Sequence, residues 1–270
     1  MIRELGIGQS CEYGADMKTV IDAIKTAGFK HVMLHEKIGE LERAIKYAQS
    51  VGLKIPFVHL AYDGANDFWS VDEKVRAAAV REKTDAIELC ARNGVATVVV
   101  HPSRAAKLDK GTKIDVNQGR KSFGEILEFA SARRVRVALE NLKQIDFPYL
   151  DLLLTEYPGF GFCYDCGHAY LHTPGIDLMA MYRDRVIAVH VHDNLGDKCT
   201  LPEHDMHLIP FDGVIDFKRV MREIAASDYE SVLMQESRRA DEKQCCYPKL
   251  TTSEWLTLAY ERGEKLLTLI

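Results

Sequence analysis

The sequence predicts a (β/α)₈ barrel formed by a single domain over residues 1–270. Three observations favour this fold class. Short apolar, β-branched runs alternate with longer amphipathic stretches along the chain, which is the pattern of repeated strand–helix units. The length of 270 residues suits one such barrel. No Gly-rich dinucleotide loop is present in the sequence, which weakens the main alternative, a doubly wound open sheet.

Eight apolar runs are the strand candidates, and most of them end in a polar residue. They are ELGIG (4–8), HVMLH (31–35), IPFVH (55–59), TVVVH (97–101), RVALE (136–140), GFCYD (161–165), VIAVH (186–190) and SVLMQE (231–236). In a (β/α)₈ barrel these runs form the inner ring of parallel strands.

The stretches between the strand candidates predict the outer helices. The clearest are MKTVIDAIKTAG (17–28), LERAIKYAQSVG (41–52), DEKVRAAAVREKTDAIELCARNG (72–94), GRKSFGEILEFASARR (119–134), DFKRVMREIAAS (216–227) and TSEWLTLAYERGEKLLTLI (252–270). Gly28, Gly52 and Gly94 fall where these helices should end. The segment GIDLMAMYRD (175–184) is only weakly helical, and the loop after the seventh strand is long.

Composition and charge exclude several kinds of protein. Hydrophobic residues make up 47% and charged residues 28% of the chain, as in soluble globular proteins. The formal net charge of −5 provides no general attraction to nucleic acid. The first residues, MIRELGIGQS, lack the basic start and apolar core of a signal peptide, and no apolar run reaches the ~18 residues of a membrane span. We therefore expect a cytoplasmic protein without a membrane partner.

Seven cysteines follow no disulfide framework and are interpreted as reduced thiols. Cys163 and Cys166 form a CxxC pair, a spacing found in redox motifs and in zinc half-sites. A structural zinc site would need a second pair, and the adjacent Cys245 and Cys246 are poorly spaced for it. Because residues 160–165 also resemble a buried strand, we favour buried, inert cysteines.

The ends of the predicted strands collect histidine and acidic side chains. The long loop after the seventh strand, within HVHDNLGDKCTLPEHDMH (190–207), adds two more. Because the carboxyl ends of parallel barrel strands open on one face, all of these groups should converge on one mouth. The side chains are His59, His101, Glu140, Asp165, His168, His190, Asp205, His207 and Glu236.

Together these side chains predict a site for a divalent metal. The carboxylates of Glu140, Asp165 and Glu236 would repel one another unless a cation or protons compensated their charge. Imidazole and carboxylate ligands suit Zn²⁺, Mn²⁺ or Fe²⁺, with Co²⁺ as a further candidate, so the mixed set does not determine the metal. His35 also ends a predicted strand and is a weaker candidate to face the site.

Several of these segments, taken in order, resemble the motif series of the xylose isomerase-like TIM barrels. The segments are VVVHPS, VALENL, GFCYDCGHA, AVHVHDN, DMH and VLMQES. Together with His59, which precedes these segments, the matching positions run from His59 to Glu236, so the resemblance covers most of the chain. This superfamily includes sugar-phosphate isomerases and epimerases, and apurinic/apyrimidinic endonucleases of the endonuclease IV type.

The two branches of that superfamily imply different uses of the same residues. In the ketose 3-epimerase type, the positions that match Glu140, Asp165, His190 and Glu236 hold one divalent metal. The two glutamates serve there as acid and base on opposite faces of the sugar, and the position of His168 contacts the substrate.

In the endonuclease IV type, nine ligands hold three zinc ions, and all nine residue types are present here. The matching positions are His59, His101, Glu140, Asp165, His168, His190, Asp205, His207 and Glu236. Other features depart from that branch. The Gly-rich stretch that follows its strand-5 glutamate is replaced by ENLKQIDFPYL, and no loop rich in Arg or Lys with interleaved aromatics lies at the strand ends.

The resemblance therefore favours a metal-dependent isomerase or epimerase of a sugar or sugar phosphate. In the expected mechanism the metal polarises a carbonyl, and Glu140 or Glu236 moves a proton at the neighbouring carbon. His168 would stabilise the cis-enediolate. The main alternative is an endonuclease IV-like phosphodiesterase with two or three zinc ions. Dehydratase or lyase chemistry and sugar binding without turnover also remain open.

Two further residues are candidates for substrate contact. Trp69, in the segment DGANDFW, could line a small sugar pocket. Arg238, directly after the eighth strand, could hold an anionic substrate. The expected partner is thus a small molecule and not a nucleic acid. Barrels of this family often form dimers or tetramers, so a homo-oligomer is an expectation that the sequence does not decide.

Overall fold

In a computed structural model, the protein is a closed barrel of eight parallel strands. The structure describes residues 4–12, 14–36, 40–104, 113–196, 205–240 and 245–270. Each strand pairs with the next, and β8 pairs with β1 to close the ring, which confirms the predicted (β/α)₈ barrel. The strands are β1 (Glu4–Gly8), β2 (His31–His35), β3 (Val58–His59), β4 (Thr97–Val100), β5 (Arg136–Glu140), β6 (Gly161–Asp165), β7 (Val186–Val191) and β8 (Val232–Gln235).

Seven of the eight strands keep their predicted bounds to within one residue at each end, and β3 is the exception. The sequence predicts a strand over 55–59, but only Val58–His59 is a strand. Pro56 has no N–H to donate to a ladder, so regular pairing begins after it. His59 still pairs in register with Val99 of β4, which places the end of this short strand at the mouth of the barrel.

Helices cover the outside of the barrel. They are α1 (Met17–Thr26), α2 (Leu41–Ser50), α3 (Glu73–Arg92), α4 (Val116–Ala132), α5 (Phe147–Glu156), α6 (Cys166–His172), α7 (Leu178–Tyr182), α8 (Phe217–Ala225) and α9 (Thr252–Leu267). Sequence patterns do not predict α5 and α6, because α5 is apolar on most faces and α6 spans seven residues. Within the described ranges, no helix has the length and apolar character needed to cross a bilayer.

The hydrophobic core forms two layers. The outer layer lies between the strands and the helices and includes large, fully buried side chains such as Phe123 and Trp255. The inner layer fills the barrel below the mouth, so the mouth has a packed floor and not an open channel. The inner layer consists of Met33, Phe57, Val99, Ala138, Cys163, Ala188, Val232 and Met234.

Candidate metal centre

The alternation of side chains along each strand places the predicted site residues inside the barrel. Successive strand residues point to opposite faces, so a residue two positions after an inner-layer residue points inward as well. Glu140 follows Ala138 in this way, and Asp165 follows Cys163. The same spacing links Phe57 to His59, Val99 to His101, Ala188 to His190 and Met234 to Glu236. The polar ring of the mouth is therefore the next layer above the apolar interior.

Glu140 is the centre of this ring. Its Oε2 accepts hydrogen bonds from Nε2 of His59 at 2.9 Å and of His101 at 2.8 Å. Its Oε1 lies 3.0 Å from Nδ1 of His190, and the same nitrogen lies 3.1 Å from Oε2 of Glu236. Three strands thus direct imidazoles at one carboxylate, and a fourth contributes a second carboxylate. We call the ring formed by His59, His101, Glu140, Asp165, His190 and Glu236 the strand group.

Two carboxylate oxygens of the strand group lack a hydrogen bond from any described residue. Oδ2 of Asp165 and Oε2 of Glu236 are both buried, and each faces the His190 imidazole. A buried carboxylate oxygen without a donor is costly unless a cation lies beside it. Ligand atoms from Glu140, Asp165, His190 and Glu236 all lie within 4.8 Å of one another. This donor set fits a divalent metal ion.

The pKa shifts in the strand group show how strongly its charges interact. Burial raises the pKa of Glu140, but His190 and His101 outweigh burial and hold that pKa well below its usual value. Burial lowers the pKa of His190, but Cys163, Glu140 and Glu236 raise it well above its usual value. The raised pKa of His190 favours a proton there that offsets part of the carboxylate charge, and a divalent ion would offset that charge while releasing the proton.

A second cluster lies beside the strand group and is centred on Asp205. Its Oδ2 lies 2.8 Å from Nε2 of His168 and 3.0 Å from Nε2 of His207. Nδ1 of His192 lies 3.7 Å from Oδ1 of Asp205, and the His192 ring stacks on His207 with centroids 3.9 Å apart. Ligand atoms of these four residues also lie within 4.8 Å of one another. We call His168, His192, Asp205 and His207 the loop group.

Asp193 holds the segment that carries Asp205 and His207. Asp193 and Leu208 exchange two backbone hydrogen bonds of 2.8 Å, which folds the segment back on the end of β7. The Asp193 carboxylate also accepts backbone N–H bonds at 2.8–3.1 Å from four residues: Asn194, Phe211, Gly213 and Ile215. His207 itself adopts a φ of +47°, an uncommon conformation for a residue other than glycine. Buried hydrogen bonds therefore set the position of the loop group.

The amino-acid sequence matches the family model described as xylose isomerase-like TIM barrel over residues 21–255. The chain belongs to this family. An uncharacterized protein of Sinorhizobium fredii, y4fM, is 28% identical over 258 residues, covering 82% of this chain and 81% of that protein. D-psicose 3-epimerase from Clostridium cellulolyticum H10, solved with D-tagatose, has a TM-score of 0.75 at 15% identity and covers 98% of this chain and 99% of its own. The IolI protein, solved with a zinc atom, has a TM-score of 0.74 at 17% identity and covers 98% of each chain.

This xylose isomerase-like barrel brings all nine predicted metal-ligating residues to its mouth, and it separates the two predicted substrate contacts. Arg238 lies at the mouth, where its Nη2 is 3.3 Å from Oε1 of Glu236. Its neighbour Arg239 instead pairs with Glu12 outside the site. The roles of Arg238 and of the nine ligands stay predictions.

The structure places Trp69 away from the mouth. Its side chain is 1% exposed, and its indole N–H donates to the carbonyl of Pro102 at 2.9 Å. The ring packs against Tyr149 with centroids 4.5 Å apart and lies over Gly119. Trp69 is therefore a core residue that supports the loop after β4. The prediction that Trp69 contacts a sugar is wrong. A tryptophan in a turn does not indicate whether its side chain points to the barrel mouth or into the core.

The predicted set of site residues leaves out three residues that the structure places at the site. His192 stands two positions after His190, and this spacing was the available signal that both side chains point inward. Asn141 bridges β5 and β6 through two hydrogen bonds of 2.9 Å with the backbone of Asp165. Tyr62 is 42% exposed and stacks on His101 with centroids 5.4 Å apart, while the Arg104 guanidinium lies 4.3 Å from its ring centre. No sequence pattern indicates the position of Tyr62.

The structure agrees with the interpretation of Cys163 and Cys166 as buried thiols. Both are free and buried, and burial raises the pKa of Cys163 to about 12. Cys163 belongs to the inner layer, and Sγ of Cys166 lies 3.6 Å from the His192 carbonyl oxygen. Among the described residues, the candidate metal-ligating groups contain only histidine, aspartate and glutamate.

Proposed function

We propose that this protein is a divalent-metal-dependent isomerase or epimerase that acts on a small sugar or sugar phosphate. The observation that carries the proposal is the pair of glutamates in the strand group. Glu140 ends β5 and Glu236 follows β8, and both carboxylates face the same imidazole nitrogen of His190, at 3.0 and 3.1 Å. Two carboxylates that approach one point from different strands can serve opposite faces of a small substrate.

The four residues with shared ligand geometry, Glu140, Asp165, His190 and Glu236, would hold the metal. When bound there, a divalent ion acts as a Lewis acid that increases the acidity of the carbon next to a carbonyl. One glutamate accepts the proton from that carbon. An isomerisation is complete when the proton returns to the former carbonyl carbon and the neighbouring hydroxyl proton passes to the former carbonyl oxygen. An epimerisation is complete when the proton returns to the opposite face of the carbon that lost it.

His168 fits a metal-ligating role better than the predicted contact with the substrate oxyanion. Its Nδ1 donates to the Asn141 carbonyl at 3.0 Å, and its Nε2 lies 2.8 Å from Asp205. Nε2 therefore points at Asp205 within the loop group, where a metal ion bound with Asp205 would take its lone pair, and not at a position for a substrate oxygen.

Two guanidinium groups near the mouth support an anionic substrate. Arg238 stands beside Glu236, and Arg104 lies on the exposed ring of Tyr62, which itself stacks on His101. Guanidinium groups suit phosphate because they form charge-assisted hydrogen bonds with its oxygens. The solved neighbour D-psicose 3-epimerase, which holds D-tagatose, agrees with a sugar as the substrate class. We propose a ketose or a ketose phosphate.

The experiment that tests this function is hydrogen exchange at carbon. Metal-loaded protein is incubated in D₂O with a panel of ketoses, aldoses and their phosphates, and deuterium incorporation is followed by NMR. The proposal expects incorporation at a carbon next to the carbonyl of at least one sugar, together with a second sugar as product. Cleavage of abasic-site DNA, with no exchange on any sugar, would contradict the proposal.

A phosphodiesterase is the second candidate because the structure gathers the complete nine-residue set. His59 and His101 approach Glu140, while Asp205 and His207 lie in the loop group. The same protein sample should therefore be assayed on abasic-site DNA, with metal content measured in parallel.

A further inference from the structure

We propose that His192 is a metal ligand, and that it makes the loop group a closed, four-ligand site for a zinc-like ion, separate from the metal at the strand group. The family resemblance assigns only His168, Asp205 and His207 as ligands in this region. His192 lies outside that set and was brought to the loop group by the fold alone. The proposal concerns metal binding and does not depend on which reaction the strand group performs.

The first argument is the orientation of the three imidazoles. Each has one ring nitrogen fixed by an oxygen acceptor: Nδ1 of His168 by the Asn141 carbonyl at 3.0 Å, and Nδ1 of His207 by the Glu236 carbonyl at 2.7 Å. Nε2 of His192 is fixed in the same way by Oδ1 of Asp165, at 3.1 Å. A histidine that binds a metal usually donates its other ring N–H to a carbonyl or a carboxylate, as all three do here.

The second argument is that the remaining nitrogens surround Asp205. Nε2 of His168 and of His207 lie 2.8 and 3.0 Å from Oδ2, and Nδ1 of His192 lies 3.7 Å from Oδ1. Tetrahedral zinc with bonds of about 2.0–2.1 Å places its donor atoms roughly 3.3 Å apart. The observed distances fall on both sides of that value, so small movements would centre an ion among the four residues.

The third argument is an unsatisfied nitrogen. Nδ1 of His192 is buried, and no described residue makes a hydrogen bond with it. The whole residue has no exposed surface. A buried polar atom without a partner is destabilising, because it has lost its hydrogen bond to water. A metal ion bound by that lone pair would remove this cost, and the atom already faces the other three ligands.

The fourth argument is the space made for the ring. A Cβ atom placed on Gly167 would lie 2.0 Å from Cε1 of His192, so residue 167 must lack a side chain for the imidazole to fit. On its other face the ring stacks on His207 at 3.9 Å. His192 is therefore held in one orientation, between a glycine and another member of the group.

The number of ligands has a chemical consequence. Zinc sites with four protein ligands are structural, whereas catalytic zinc sites keep a position for water or substrate. An ion in the loop group would have no such position, so it would not activate water for hydrolysis. It would instead be coupled to the strand group, because Oδ1 of Asp165 accepts from His192 while Oδ2 faces His190.

The test counts ions and does not use turnover. Metal-free wild-type protein and the variants His192→Gln, His192→Ala and Asp205→Asn are titrated with Zn²⁺ against a competing chromophoric chelator. Bound metal per chain is then measured by plasma mass spectrometry. We expect each variant to hold one ion fewer than the wild type, or to bind that ion at least about 100-fold more weakly. His172→Ala is the matched control, because its ring lies 5.9 Å from His168 but outside the loop group, and it should bind as the wild type does.

Two variants separate a ligand from a residue that only positions Asp165. The amide of His192→Gln keeps an N–H donor near Asp165 but lacks the imidazole lone pair, so loss of the ion in this variant indicates ligation. Gly167→Ala keeps all four ligand side chains but displaces the His192 ring, and it should lose the same ion.

With Co²⁺ in place of Zn²⁺, the wild-type spectrum minus the variant spectrum should show the intense visible absorption of a four-coordinate site.

Either of two results would overturn the proposal. One is full metal number and affinity in His192→Gln. The other is an Asp205→Asn variant that binds as many metal ions per chain as the wild type does. Circular dichroism and urea unfolding of the metal-free variants establish that they fold, so loss of the ion is not mistaken for loss of the barrel.

Discussion

The strand group and the loop group use the same kinds of side chain on two different supports. The strand group lies at or beside the ends of β3 to β8, where backbone ladders and the packed inner layer hold each residue. Apart from His168 on α6, the loop group lies on a segment between β7 and α8 that is held by hydrogen bonds of the Asp193 and Asn194 side chains. Regular structure therefore positions the first group, and a few specific hydrogen bonds position the second. It follows that the second group can be damaged without loss of the barrel.

The largest expected effect is that of Glu140→Gln. The amide has nearly the same shape as the carboxylate, but it can neither accept the proton nor carry the negative charge. We expect turnover of the sugar found by the exchange assay to fall by about 10²–10⁴-fold, with the fold retained. The measurement is kcat together with circular dichroism.

The control for this variant is Glu128→Gln, an exposed glutamate on α4, which should leave kcat unchanged. Near-wild-type turnover in Glu140→Gln would remove Glu140 from the proton-transfer mechanism. Glu236 would then be the remaining candidate for the base.

The next effect, on stability, distinguishes the two groups. Asp193→Ala removes the acceptor of four backbone N–H groups that would be left buried without partners. We expect a loss of roughly 2–4 kcal/mol in the free energy of unfolding. Metal affinity of the loop group should fall much more than that of the strand group. Urea unfolding and Zn²⁺ titration measure the two quantities.

Asp216→Ala is the matched variant for this comparison. Asp216 caps α8 but does not hold the segment of the loop group, so its loss should cost about 1 kcal/mol and leave both metal affinities unchanged. Equal weakening of the two groups by Asp193→Ala would show that they are not independently supported.

A smaller effect is expected at the rim of the strand group. Arg238→Gln should raise KM for a phosphorylated substrate by about tenfold, which corresponds to about 1.4 kcal/mol, and should change KM for the unphosphorylated sugar much less. Arg239→Gln should lower stability and leave KM unchanged, since Arg239 pairs with Glu12. Equal effects of Arg238→Gln on both substrates would argue against phosphate binding at this arginine.

The smallest effect concerns a residue outside both groups. Trp69→Phe removes the hydrogen bond to the Pro102 carbonyl and some packing, at a cost of about 1 kcal/mol in unfolding free energy. KM should not change, because the ring lies in the core. An increase in KM for the sugar, with stability unchanged, would instead indicate that Trp69 contacts the substrate.

The sequence by itself determined the barrel and the strand group. Alternating apolar runs and amphipathic stretches predict the strand–helix units, and polar residues at the strand ends must meet on one face once the strands are parallel. The positions of His59, Glu140 and Asp165 at the mouth of the barrel could therefore be predicted without coordinates. Because a strand has a period of two, each residue's distance from an inner-layer residue decides whether it points inward, and that distance is visible in the sequence.

Only the tertiary structure decided the features that depend on loops. Sequence periodicity does not indicate how the chain after β3 folds. Trp69, predicted at the mouth, lies in the core, while Tyr62, seven residues earlier, is exposed beside His101. Likewise, the pairing of His192 with Asp165 and its contact with Gly167 join residues from different β–α units. Such contacts follow from the closure of the barrel and the path of its loops, which local sequence patterns do not encode.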